Sequence, residues 1–275
     1  MTQDMTLQER WSSLTLGKLR KTSLFVNLFN TRYQGQPTAG AVKVPVRDTE
    51  VKVSAYDKVS GGTLTVPSTD YKTLVIDQDN YVNELIDGFV ASAVPDDLVA
   101  DRLDSAGYSM GIYIDEKLRD DLLAKATKVT KDDGKALTNA TIYANILSAR
   151  TQARKALLKT DEMWLVVSPE TLELLLNSPE FIRASALGDT VVQSGAIGTI
   201  AGIRVYEADE LPTGVEYILG NSIFTHYVAE WLVPVALTDL KDGKHIGSSA
   251  IQGRQVFGDM ISRPETVFKK LGASA

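Results

Sequence analysis

Residues 41–76 read AVKVPVRDTEVKVSAYDKVSGGTLTVPSTDYKTLVI. Val42, Val44 and Val46 alternate with Lys43, Pro45 and Arg47, and Val51 and Val53 alternate with Lys52 and Ser54. Residues 63–66 and 71–76 continue the period of two, the pattern of strands with one apolar face. Between the runs, Lys58-Val-Ser-Gly61-Gly62 supplies two glycines free to take positive φ, so the chain is expected to reverse there. The product is a lone hairpin as long as the sheet of a small domain. An isolated two-stranded hairpin is only marginally stable in water, so this ribbon is expected to lie against something else.

Downstream, Leu103, Ala106, Met110, Ile114, Leu118 and Leu122 recur at spacings of three and four, which predicts one amphipathic helix over about 97–126. Pro95, Asp96 and Asp97 supply a stop and an acidic N-terminal cap. Gly107 and Gly111 lie inside it at a cost of about 1 kcal/mol each, so two shorter helices are the alternative. Upstream, the first 35 residues carry Arg10, Lys18, Arg20, Lys21 and Arg32 against Asp4 and Glu9, a basic arm on a chain of net charge -6. Such an arm suits an acidic neighbour or nucleic acid; the plainer alternative is a solvated helix face. Leu14, Leu16, Leu19, Leu24, Phe25, Val26, Leu28 and Phe29 are too many apolar groups for a disordered tail, so part of the arm is expected to be buried, by another subunit.

From about 138 the pattern becomes an α/β alternation. Ile142, Ile146, Ala149, Ala153 and Leu157 share a helix face, Trp164-Leu-Val-Val167 reads as a buried strand, and Ser168-Pro169-Glu170 is a well-formed helix start. Gly198 and Gly202 flank a turn into Ile203-Arg-Val-Tyr206, and Leu211-Pro-Thr-Gly214 turns into Val215-Glu-Tyr-Ile-Leu219.

The Trp164-Leu-Val-Val-Ser-Pro169 step, the segment Gly198-Thr-Ile-Ala-Gly202-Ile-Arg-Val-Tyr206, the Leu211-Pro-Thr-Gly214 turn and the closing stretch from Phe257-Gly258 to Val267 resemble, in that order, a tailed-phage major capsid protein of the HK97-like fold, the class shared with encapsulin shells. The resemblance covers nearly the whole chain. It implies an α+β chain with an N-terminal arm at 1–38 and an extended β-hairpin E-loop at 41–76. A P-domain with a long spine helix would occupy 77–137 and 236–270, and an α/β A-domain 138–235. It further implies a structural protein that self-assembles into hexamers and pentamers of an icosahedral head enclosing double-stranded DNA, in the virion and, during assembly, in the host cytoplasm. Partners would be other copies of the chain, a portal, a separate scaffolding or cement protein, and DNA held by non-specific contact, with no membrane and no cofactor.

Inter-subunit contacts are expected from Arg10, Lys18, Arg20, Lys21, Arg32, Lys52, Tyr56 and Lys58, with Gly107 and Gly111 as a helix hinge. Some members crosslink a lysine to an asparagine; Lys43, Lys52, Lys58 and Lys72 lie in the ribbon but are read as charges that solubilise an edge. An encapsulin-like shell packaging a cargo enzyme has the same implied architecture.

Catalytic readings are thin. Gly107-Tyr-Ser109-Met-Gly111 matches the G-x-S-x-G elbow of serine hydrolases, which needs a strand immediately before the serine, whereas the preceding residues read as a capped helix. The alternative for these small residues is close packing of another element. His226 and His245 are the two histidines and there is no cysteine, so disulfides and thiolate sites are excluded and metal sites disfavoured. The pairs Asp96/Asp97, Asp120/Asp121 and Asp132/Asp133 read as solvated faces and a cap, because neighbours on a helix diverge by about 100°. Gly195, Gly198 and Gly202 lack phosphate-loop spacing, and Trp11, Trp164 and Trp231 stand in separate segments. No run of about 18 apolar residues predicts a membrane span, and no apolar leader is read at the N-terminus.

Overall fold

The computed structural model describes residues 20–32, 40–46, 53–59, 61–62, 70–87, 97–131, 134–156, 158–178, 198–209, 211–241 and 243–272. A short helix, α1 (Phe25–Leu28), precedes the ribbon, whose strands β1 (Ala41–Val46) and β2 (Asp70–Val75) pair antiparallel with Val44 opposite Lys72. At the far end Asp57 bridges Gly61, the Gly61 N–H donates to the Asp57 carbonyl at 2.9 Å, and Gly61 takes φ +74°. The chain therefore turns where the paired glycines predict. Residues 53–56 carry no strand, contrary to the alternation read there, while Val51, Lys52 and residues 63–66 lie outside the described residues.

The base of the ribbon is anchored. Val44 and Leu74 bury against Val228, and Gly258 has no side chain because a Cβ there would stand 2.2 Å from the Val75 carbonyl oxygen. Val228 and Gly258 belong to a three-stranded antiparallel sheet of β3 (Gln78–Ile86), β9 (Thr225–Asp239) and β10 (Ser249–Ile261), in the order β3-β10-β9. Strand β3 has no counterpart in the sequence reading. Its half-buried positions are Gln78, Asn80, Val82, Glu84 and Ile86, so polar residues sit on both faces and the apolar period of two is missing.

Under this sheet runs α2 (Asp97–Lys125), one unbroken helix of 29 residues and roughly 44 Å at 1.5 Å per residue. Ala106, Met110, Ile114, Leu118 and Leu122 of the expected stripe are buried and Leu103 is half-buried; Pro95 and Asp96 lie outside the described residues. Burial of that stripe outweighs the two glycines, so the helix does not split.

The remaining body is a six-stranded sheet. Its strands are β4 (Thr127–Lys128), β5 (Met163–Val167), β6 (Gly198–Ile200), β7 (Ile203–Glu207), β8 (Val215–Asn221) and β11 (Phe268–Leu271), ordered β4-β11-β8-β5-β7-β6. The pairs β4/β11 and β5/β7 are parallel and the others antiparallel. Two helices, α3 (Ile142–Lys155) and α4 (Pro169–Leu176), cover one face. Ser168 Oγ caps α4 by accepting from the Thr171 N–H, with Pro169 in the first turn, as its sequence announces.

Strand β5 shows why this body reads so clearly. Met163, Leu165 and Val167 pack with α3 and α4, while Trp164 and Val166 join the cluster of α1, α2 and β10 on the other side. A strand buried on both faces must be apolar throughout. The six-stranded sheet takes β4 and β11 from segments 77–137 and 236–270, and position 235 falls inside the continuous strand β9.

Candidate functional site: the assembly surfaces

The arm is the first surface to consider. Its residues 20–26 are fastened to their own subunit's α2. Arg20 forms an ion pair with Asp104 and stacks over the Tyr108 ring at 4.8 Å, and Lys21 Nζ reaches Glu116 Oε1 at 3.2 Å. The Asp104 carboxylate raises the Arg20 pKa, as an accepted charge-assisted hydrogen bond does. Backbone groups are caught as well: Lys21 N–H donates to Tyr108 Oη at 2.6 Å and Thr22 N–H donates to Asp209. Buried Asp115 accepts from Ser23 Oγ and Val26 N–H, both at 3.1 Å, and so caps α1 from another element.

Behind these contacts Phe25, Leu28 and Phe29 bury into the core beside Met110, Ile114 and Leu118. The acidic neighbour of the basic arm is thus, for Arg20 and Lys21, the chain's own spine helix. The apolar residues expected to be buried by another subunit are, at 25, 28 and 29, buried at home, because α1 fills a site between α2 and β9 that would otherwise expose both. Arg32 is exposed and lines an open groove of about 850 Å³ together with Leu28, Phe29, Trp164, Ile223, Asp161, Glu162 and Arg204. Arg10 and Lys18 lie outside the described residues.

The ribbon tip is the second surface. Val53 is 94% exposed and Val59 95%, with Tyr56 and Lys58 exposed beside them. Lys52 lies outside the described residues. A third surface escaped the sequence reading. Strand β9 begins buried at residues 225–228, but Trp231, Leu232, Val233 and Leu237 are all exposed on an edge strand whose outer side has no partner strand among the described residues. Tyr81, Leu85 and Tyr113 add exposed apolar area on β3 and α2. The signal was present in the run Trp231-Leu-Val-Pro-Val-Ala-Leu237, but a continuous apolar run reads as core unless its location is known.

The proposed hinge glycines lie in regular helix. A Cβ at Gly107 or Gly111 would find no atom within 4 Å, so close packing of another element does not explain either glycine. The same geometry removes the hydrolase reading. Ser109 stands exposed in mid-helix, lining a cleft of about 330 Å³ with Asn80, Tyr81, Met110 and Tyr113, and the residues immediately before it are helical, so no strand leads into a strained elbow there. His226 is buried with Nε2 3.1 Å from Ser262 Oγ, and burial lowers its pKa, so it is held as a neutral core residue. His245 is half-buried, its carbonyl accepting from Ser248 N–H at 3.2 Å. Among the described residues no group of His, Asp and Glu could hold a metal ion, and no helix is long and apolar enough to cross a membrane.

Comparison with known proteins agrees with this geometry. A family model described as phage capsid protein matches residues 91–269. Among solved structures, a chain of Mycobacterium phage Che8 is 21% identical over 97% of each chain, with a TM-score of 0.75. The capsid structure of the cyanophage P-SCSP1u is 16% identical over 99% of this chain and 94% of that one, with a TM-score of 0.76. A chain from the asymmetric unit of the mature capsid of bacteriophage PhiM1 is 18% identical over 99% and 93%, with a TM-score of 0.68. At such identities the likeness establishes the fold alone. No curated protein matches the chain.

Proposed function

The chain belongs to the phage capsid protein family, and from that premise we propose that it builds the shell of an icosahedral phage head as hexamers and pentamers enclosing double-stranded DNA. It is a structural, non-enzymatic protein of the HK97-like fold, a component of the virion capsid that assembles with copies of itself. In the proposed division of labour, residues 1–38 form the arm, 41–76 the E-loop, 77–137 and 236–270 the P-domain with its spine helix, and 138–235 the A-domain. The E-loop tip and the arm engage neighbouring subunits through Arg10, Lys18, Arg32, Lys52, Tyr56 and Lys58, while Arg20 and Lys21 tie the arm to its own spine helix, and Gly107 with Gly111 lets that helix bend between hexamer and pentamer. A portal, a separate scaffolding or cement protein and packaged DNA complete the partner set, and assembly takes place in the host cytoplasm.

The observation that carries this reading is the ribbon tip. Val53 and Val59 are almost fully exposed at the end of a hairpin whose base is firmly packed, an arrangement that is costly for a monomer and productive once a neighbour covers it. Negative-stain electron microscopy and mass photometry of the purified chain test it. Closed particles, tubes or rings of five and six are the expected products; monomers or dimers at every concentration, with particles absent even on co-expression with the neighbouring head genes, would sink it.

A further inference from the structure

Between Glu230 and Asp239 strand β9 carries no charged residue, and its middle reads Trp231-Leu-Val-Pro234-Val-Ala-Leu237. Without Pro234 this run would have the signature of a segment that stacks into cross-β fibres, being short, apolar, uncharged and rich in β-formers. It also lies where such a segment is most hazardous. Trp231, Leu232, Val233 and Leu237 are 40–47% exposed, on a strand whose outer edge has no partner strand among the described residues.

The pairing of β9 with β10 is irregular at the same place. Trp231 lies opposite Gln255 and Val233 opposite Arg254, so the surplus residue Leu232 turns onto opposite faces two side chains that a regular strand would point the same way. A second bulge follows at once, where the three steps from Val233 to Ala236 match the two from Arg254 to Gln252. Gly253 makes room for it, since a Cβ there would stand 2.6 Å from Val235 Cγ2. Pro234 sits inside this second bulge and has no N–H to give to a strand on either side. Strand β3, the opposite edge of the sheet, keeps an unbroken register with β10 and carries charge instead: Arg254 Nε donates to Asp79 at 2.9 Å and Arg102 Nε to Glu84 at 2.8 Å.

We propose that Pro234 and the two bulges guard the free edge of β9, so that its far half presents apolar side chains while its backbone cannot template a further strand from another copy. An added strand needs an unbroken row of donors and acceptors. Here the row is interrupted at residue 232 and again at 234–235, which leaves pairings too short to hold in water. The guard acts in the lone subunit and stands whether or not shells form.

Thioflavin fluorescence of the purified chain tests it, with electron micrographs separating fibres from closed particles and urea unfolding run in parallel. Pro234→Val, which restores a donor and a β-former, should shorten the lag before fibres appear severalfold at an unchanged urea midpoint. Deleting Leu232 as well removes the first bulge and should shorten the lag further. Adding Val233→Lys to Pro234→Val puts a charge on the same edge and should return the lag to that of wild type. Wild-type lag times in Pro234→Val and in the variant that also lacks Leu232 would overturn the guard. So would faster fibre growth that follows a lowered urea midpoint and is not reversed by Val233→Lys, since it would arise from unfolded chains. Should the deletion not fold, Pro234→Val and its lysine reversal decide alone.

Discussion

Strand β5 and the far half of strand β9 are both apolar runs, yet they have opposite fates. Met163, Trp164, Leu165, Val166 and Val167 are all buried, enclosed by helices on one side and by the α1–α2 cluster on the other. Trp231, Leu232, Val233 and Leu237 are all exposed, on an edge strand that has left the body behind. The ribbon repeats the contrast within one hairpin, from the buried Val44 and Leu74 at its base to the bare Val53 and Val59 at its tip. Where the subunit completes itself, apolar residues are used up at home. Where it does not, they remain as exposed surface, which in the proposed shell a neighbouring copy covers.

The contrast can be broken or sharpened by substitution. Leu165→Ala opens a cavity between the six-stranded sheet and α3, and should cost about 2–5 kcal/mol in denaturant unfolding, in free subunits and whether or not shells form. A loss under 1 kcal/mol would mean the body is less close-packed than β5 implies. Next in size, Asp115→Ala strands the Val26 N–H and the Ser23 hydroxyl, and should cost about 1–3 kcal/mol while making the arm near residue 23 cleavable by protease. Unchanged protease resistance would show that Phe25, Leu28 and Phe29 hold the arm without their cap. Gly107→Ala and Gly111→Ala meet open space and regular helix, so each should stabilise the subunit by up to about 1 kcal/mol. If the double variant also leaves the distribution of particle sizes unchanged, the hinge assignment falls. Smallest for the subunit is Val53→Asp with Val59→Asp, within about 0.5 kcal/mol in unfolding, but with particles lost from electron micrographs.

What could be read from the sequence follows the same division. The spine helix, the ribbon, β5 and the Ser168 cap announce themselves because periodicity and capping chemistry are local. Strand β3 stayed hidden because its inward positions include Gln78, Asn80 and Glu84, and β9 because a run of apolar residues carries no record of which neighbour it meets. Of the assembly surfaces, the basic arm and the ribbon were legible as charge and alternation. The self-contained docking of residues 20–29 was not, since Asp115, Tyr108 and Asp209 are about 90 to 190 positions away from the groups they bind.

Hydrogen–deuterium exchange, comparing assembled particles with dissociated subunits, most directly tests whether the bare surfaces are the ones that build the shell. Protection should appear on assembly over residues 53–59 and 231–237, while residues 163–167 and 25–29, already enclosed in the lone subunit, stay as they are. Equal exchange of the ribbon tip in particle and subunit, with the gain falling on other faces of the body, would contradict it.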